Sequence, residues 1–573
     1  MKFQFIKIKK FSGIRLWHES SFSFHLFIFV FFVFGHLACS IQDKTYIVTG
    51  HNESVSEAAG DLARYLLATY PRQKFEVVSQ PVSDRRNILL EIVKDAEWEN
   101  IEAYKISGEE NQLIIKGKTP RAIAYGVFGL LKHLGWNFYL SFQVPPDNPV
   151  PLDFLSVNLG NEPLKERRIL FNWHNFISGC TGWNYEQWEQ WIDNGLKIGF
   201  NTVMVHAYGN NPMHSFTFNG LDKELGYLTT TQRGRDWGAQ HVNDVRLLHG
   251  GNIFTHYEFG SEAAKVPVEE KVQSATEMMQ QVFRHASRKN MDICFALDVD
   301  TWIANPQNII TTLPDDALLE ILGYQTVNPD HVEGRKYYTA QLNKLFLDYP
   351  EINILAAWMR NPRQGPGLGS TWLLHNSNTL PESWQQEYFK ILENHPELKD
   401  ERPYPGLFAI SKIINVYREI LDEINPDVEL MLGSWRNGYP KLAKYFIPEF
   451  CGFIPLNDNT LDSTDVIDEL SKVGENRSIY PIVWAHHDDH RYLGRPYIPY
   501  TNFNSLLDGI NSKGYGIIHW TTHPLDLFFS NHENQVWKDT ENETFDQTIL
   551  KFSSSLLNSE DSKIGRASCR ARV

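Results

Sequence analysis

The sequence predicts an α/β protein: a small α/β N-terminal domain followed by a (β/α)8 TIM-type barrel. Three observations predict it. Apolar segments of four to eight residues alternate with amphipathic helical stretches eight times from about Arg167 onward. Four prolines fall within Val144–Pro151 (VPPDNPVP), which marks a boundary between that array and what precedes it. No strand is followed by a glycine-rich phosphate turn, which weakens the rival doubly wound sheet.

In chain order, the N-terminal residues come first. Lys2, Lys7, Lys9, Lys10 and Arg15 precede an apolar run from Phe22 to Ala38. A basic n-region before an apolar h-region is the pattern of a secretory signal, assigned here to residues 1–39. Cleavage after Ala38 would leave Cys39 to be lipidated, so the expected location is the periplasm or the outer-membrane surface, with membrane attachment through Cys39. An uncleaved anchor is the alternative.

Residues 44–150 read as the small α/β domain. Tyr46–Thr49, Asn87–Val93 and Gln112–Lys116 have strand character, and Ser54–Thr69 carries Ala58, Leu62, Leu66 and Leu67 at helical spacing. Pro120 opens a second helix through Leu134, placed where its missing N–H is harmless.

The barrel is placed at residues 160–545. Its strands are predicted at Arg168–Trp173, Thr202–Ala207, Asp292–Val299, Ile352–Met359, Val428–Trp435, Gly452–Leu456, Pro481–Ala485 and Tyr515–Trp520. Helices are predicted at Glu186–Ile198, Val268–Arg288, Arg335–Leu347, Gly406–Ile424, Tyr439–Phe446, Asp465–Val473 and Asn502–Ser512. Residues 563–573 (KIGRASCRARV) are basic, lack apolar periodicity and read as an artefact outside the fold.

Composition narrows the function. With 42% hydrophobic and 21% charged residues the chain can bury a large core, which excludes disorder. Its net charge of −15 repels phosphate backbones, so nucleic acid is excluded as a partner. Cys180, Cys294 and Cys451 are too far apart for a disulfide framework or a metal motif. The 16 Trp and 24 Tyr either fill the core or stack on sugar rings.

Active sites of (β/α)8 barrels gather at the C-terminal strand ends, so the residues there are the candidates. Trp173, His174, His206, Trp358, Arg360, Trp435, Arg436, His486, His487 and Trp520 are read as substrate-binding. Six of the eight ends present a Trp, most beside a polar residue, which describes a carbohydrate site. Glycosidic cleavage needs two carboxyl groups, and the strand-end acids are Asp298, Asp300, Asp458, Asp488 and Asp489. Asp488 or Asp489 is the preferred member, with a partner among Asp300, Asp298 and Asp458; Glu258 and Glu262 are the reserve. The bland reading of any one Asp is a helix N-cap, and of either Arg a salt bridge to a barrel acid. His486, Asp488 and His490 alternate as metal ligands do, but hydrogen bonding to a sugar serves as well, and no metal or cofactor is expected.

These stretches resemble the bacterial α-glucuronidases of glycoside hydrolase families 67 and 115. Residues 44–143, with RAIAYGVFGLLKHLGWNFY at 121–139, look like the domain that precedes the barrel in those enzymes and in β-hexosaminidases. WAHHDDHRYLGRPYIPY at 484–500 and IIHWTTHPLD at 517–526 look like the last barrel units of related glycosidases. One departure stands out: many relatives place a catalytic Glu at the end of strand four, where this chain reads Trp358-Met359-Arg360-Asn361. The resemblance implies an exo-acting hydrolase of plant or algal polysaccharide fragments, with Arg360 and Arg436 as bidentate forks for a uronate. A non-catalytic surface carbohydrate-binding protein and a polysaccharide lyase are the alternatives.

Overall fold

The computed structural model describes residues 44–557 apart from 174–179, 181–182, 208–210, 224–267, 300–306, 322–323, 360–379, 400–404, 435–438, 457–460, 463, 488–494 and 521–524. Residues 1–39, read above as a secretory signal, and residues 563–573 therefore lie outside the described residues. Among the described residues no helix is long and apolar enough to cross a membrane.

The N-terminal unit is a six-stranded sheet. Its strands are β1 (Lys44–Val48), β2 (Lys74–Val78), β3 (Arg86–Ile92), β4 (Tyr104–Gly108), β5 (Gln112–Gly117) and β6 (Asn158–Asn161), in the order β2-β1-β3-β5-β4-β6. β2, β1, β3 and β5 run parallel, while β4 pairs antiparallel with both β5 and β6. Helices α1 (Ser56–Thr69) and α2 (Pro120–His133) bury their apolar stripes against it. Thr119 caps α2 by accepting from the Ala122 N–H, with Pro120 in the first turn as predicted.

Eight parallel strands form the second sheet. They are β7 (Arg167–Asn172), β8 (Thr202–Ala207), β9 (Asp292–Asp298), β10 (Ile352–Met359), β11 (Glu429–Ser434), β12 (Gly452–Pro455), β13 (Ile482–Trp484) and β14 (Gly514–His519). Their order is β12-β11-β10-β9-β8-β7-β14-β13. The ring closes between β12 and β13 through two isolated bridges, Phe453–Ile479 and Leu456–Ile482. This sequential order is a barrel, and it excludes the doubly wound alternative.

Strand alternation separates two cores. Ile169, Phe171 and Trp173, Cys294 and Ala296, and Ile354, Ala356 and Trp358 belong to one buried cluster inside the barrel. The intervening Leu170, Phe295, Leu355 and Ala357 join the outer core beneath the helices. The helices between strands follow the predicted positions closely, from Tyr185–Lys197 after β7 to Phe503–Gly509 before β14. The helix predicted at Tyr439–Phe446 ends sooner, at Ala443, and Glu382–Asn394, Asp526–Val536 and Phe545–Leu557 add helices the sequence reading did not name.

A buried ionic network fastens the N-terminal unit to the lower end of the barrel. Arg168 of β7 is fully buried and donates to Glu102, to the Tyr125 hydroxyl at 2.9 Å and to the Gly199 carbonyl at 2.6 Å. Arg121 of α2 bridges Glu102 and Asp292. Burial raises the Glu102 pKa, but the two guanidinium groups outweigh it and hold the carboxyl down at about 2.

Candidate functional site at the barrel mouth

The interior residues at the C-terminal strand ends form an aromatic floor. Trp173 and Trp358 meet edge to face at 5.4 Å, as do Trp484 and Trp520 at 5.4 Å. Neighbouring strands supply small residues to make room. Gly433 of β11 faces Trp358, and Ala296 and Ala356 lie in the same inner core. Large beside small is how a barrel interior fills its cross-section.

Set into this floor is one acid–imidazole pair. His206 is the penultimate residue of β8 and Asp298 ends β9, and in their parallel register the two strand ends are adjacent. His206 Nε2 lies 2.8 Å from Asp298 Oδ1, so Nε2 carries the proton that the carboxylate accepts. The imidazole stacks on Trp173 with ring centroids 4.2 Å apart. Both members of the pair are buried.

Two further histidines are oriented by donors on neighbouring elements. His486 Nε2 accepts from the Trp520 backbone N–H at 2.9 Å, and His519 Nε2 accepts from the Trp191 indole N–H at 3.0 Å. His486 therefore holds its proton on Nδ1, while Nδ1 of His519 lies 3.3 Å from the Asn172 amide nitrogen. Asn172 ties the ends of β7 and β14 together, donating to the Trp520 carbonyl at 2.9 Å and accepting from the Cys180 N–H at 2.8 Å. Burial pushes the Cys180 thiol well up, which leaves it an inert buried group.

The sequence reading missed Lys223. It follows a short hairpin in the β8–β9 connection and is buried, its ammonium donating to the His214 carbonyl. Burial lowers its pKa to about 7, and the negative charge of Asp298 acts in the opposite direction. Nothing in the flanking Leu221-Asp222-Lys223-Glu224 distinguishes this lysine from a surface one. Gly433 was missed too, although a glycine inside a strand is a known sign of close approach.

The structure thus brings together Trp173, His206, Asp298, Trp358, His486 and Trp520 of the predicted set. His487 lies in a two-residue strand paired with Arg495–Pro496, and nothing is described of its side chain. His174, Asp300, Arg360, Trp435, Arg436, Asp458, Asp488 and Asp489 fall outside the described residues, as do Glu258, Glu262 and His490. Among the described residues no group of His, Cys, Asp or Glu is arranged to hold a metal.

No family model matches the chain, and no curated protein matches it. Solved structures do. The GH20 β-N-acetylhexosaminidase from Streptomyces coelicolor A3(2) aligns over 89% of this chain and 90% of its own, with a TM-score of 0.51 at 11% identity. The shared feature is the fold, a TIM-type barrel. Two others align more loosely, each with a TM-score of 0.47 over 85% of this chain. They are a GH138 enzyme targeting pectin rhamnogalacturonan II, at 11% identity, and the GH20 chitobiase of Flavobacterium johnsoniae, at 10%. This chain spans 59% and 64% of their respective lengths. At 11% identity the Streptomyces coelicolor likeness bears on the fold alone.

Proposed function

We propose that this chain is an exported glycoside hydrolase that cleaves O-glycosyl bonds in plant or algal polysaccharide fragments at the C-terminal mouth of its barrel. The observation that supports the reading is the His206–Asp298 pair set among Trp173, Trp358 and Trp520. Aromatic faces hold a pyranose through its C–H surface, and a carboxylate-bound imidazole orders a proton beside it. The Trp358 indole N–H is buried with no acceptor among the described residues, so it is available to a sugar hydroxyl.

The finer proposal is an exo-acting, α-glucuronidase-like enzyme. Arg360 and Arg436 bind the uronate carboxylate, and Asp488 or Asp489 supplies a catalytic carboxyl with a partner among Asp300, Asp298 and Asp458. Screening 4-nitrophenyl glycosides tests it, with the α-glucuronide turned over and neutral glycosides refused. Arg436→Lys keeps the charge but loses the planar fork, so uronate affinity drops while neutral sugars are unaffected. Turnover of a neutral glycoside alone would leave the hydrolase and remove the uronate specificity.

The burial of Asp298 favours a second reading, a surface protein that binds carbohydrate without cleaving it. A reducing-end assay separates the two, since a binder releases nothing. A lyase would instead yield an absorbing unsaturated product.

A further inference from the structure

A cleft of about 420 Å³ opens far from the mouth, between helix α2 and strand β6 of the N-terminal unit and the segment from Ser530 to Phe552. Its size falls within the roughly 300–1,000 Å³ typical of small-molecule sites. We propose that this cleft is a second carbohydrate site, one that holds a neutral mono- or disaccharide without cleaving it. The inference goes beyond the hydrolase reading and does not depend on turnover at the mouth.

The lining carries the argument. Tyr104 and Trp537 meet edge to face at 5.9 Å, and Tyr125 packs against Trp537 at 5.1 Å, so the walls are rigid aromatic surface. Neither the Tyr104 hydroxyl nor the Trp537 indole N–H hydrogen-bonds another described residue, although both residues are largely buried. A glycine at position 129 gives the Tyr104 hydroxyl its room, because a Cβ there would stand 2.4 Å from it. Burial raises the Tyr104 pKa, and the nearby Asp539 and Glu533 raise it further, so the phenol remains a donor.

The charged groups of the lining already have bonded partners. Lys132 pairs with Glu533 and also donates to the Lys197 carbonyl at 2.9 Å, Lys551 pairs with Glu543, Asp539 accepts from Asn161, and the Lys197 ammonium is held by Asn194 Oδ1 at 3.0 Å. A lining whose charges are already bonded and whose spare donors are neutral suits a polyhydroxylated ring better than an anion, which would need a cation turned toward it, or a lipid, which would need no carboxylates. The Tyr125 hydroxyl donates to the Phe200 carbonyl at 2.9 Å, just before β8 begins. The cleft therefore abuts the N-terminal strand ends, the face of a barrel opposite its catalytic one. Binding there retains a glycan; it does not cut it.

Saturation-transfer NMR and calorimetry with methyl β-glucoside, methyl β-galactoside, N-acetylglucosamine and cellobiose test the proposal on the full chain. At least one sugar should bind with millimolar affinity. Tyr104→Phe and Trp537→Phe should each weaken it roughly three- to tenfold, the loss of one hydrogen bond. His206→Ala at the mouth should leave this binding intact, and Tyr104→Phe should leave turnover intact. Three results would overturn the inference: no sugar binds, binding survives both cleft variants at full strength, or sodium glucuronate binds more tightly than every neutral probe. Failure of hydrolysis with cleft binding retained would count against the proposed activity and not against this site.

Discussion

A side chain at position 433 and the indole of Trp358 compete for the same space. A Cβ built on Gly433 would stand 2.2 Å from Trp358 Cε3 and 2.4 Å from Cζ3. Gly433→Ala therefore forces the floor of the mouth to move, and we expect a loss of about 1–3 kcal/mol with a displaced Trp358. Chemical denaturation and a structure of the variant check both parts. An unchanged midpoint would mean that β11 yields at no cost.

Asp298→Asn keeps the shape of the His206 contact and removes its charge. A catalytic role predicts a fall in turnover of roughly 10²–10⁴ with the fold retained. A thermal midpoint that drops while turnover per folded molecule holds would make Asp298 a structural residue. The same comparison applied to Asp488→Asn and Asp489→Asn decides whether the β13 end takes part.

Glu102 predicts an acid-sensitive junction between the N-terminal unit and the barrel. Its folded pKa, about 2, lies below the unfolded value near 4.3, so its contribution is complete above about pH 4 and is lost as pH falls toward 2. That contribution is on the order of 3 kcal/mol. Urea unfolding of the parent and of Glu102→Gln between pH 2 and 6 should give curves that converge at the acid end. Parallel curves would contradict the assignment.

Lys223 predicts a slope of the same sign, but in the alkaline range. A lysine with a folded pKa of about 7 and an unfolded value near 10.4 is penalised when charged, so the parent loses stability as pH falls from about 10 to 7 and then levels. Lys223→Met should abolish that segment of the curve, a difference on the order of 4 kcal/mol across it. Since Lys197 also has a lowered pKa, of about 8, the difference between parent and variant is the quantity to read.

Export is tested with the whole gene in a Gram-negative host. A processed, membrane-associated protein is expected, and Cys39→Ala should release it to the soluble periplasmic fraction. An intact N-terminus on cytoplasmic protein would reject export.

Much of the barrel was legible because its strands are buried on both faces. Thr202–Ala207 and Ile352–Met359 are apolar apart from Thr202, His206 and Asn353, and their predicted bounds match the observed ones. Lys74–Val78 (KFEVV) was invisible for the converse reason: it is an edge strand, mostly exposed, with no apolar face to read. At the site, the two-residue period placed Trp173, Trp358 and Trp520 inside the barrel. It gave no hint that His206 would take Asp298, because that bond depends on the register of two strands about 90 residues apart in sequence. Lys223 was equally hidden, since the sequence does not reveal that a charged residue ends a hairpin in the interior.

The closure of the ring between β12 and β13 has a consequence for how the chain might be re-cut. Elsewhere neighbouring strands share ladders of three to six registered pairs, while here two lone bridges and the contacts of Phe453 with Ser478 and Tyr480 do the joining. The barrel is a ring with a clasp. Circular permutants that start between Pro455 and Ile482 would place the new chain break at the clasp, leaving every long ladder, β7 with β14 included, within one eight-stranded sheet.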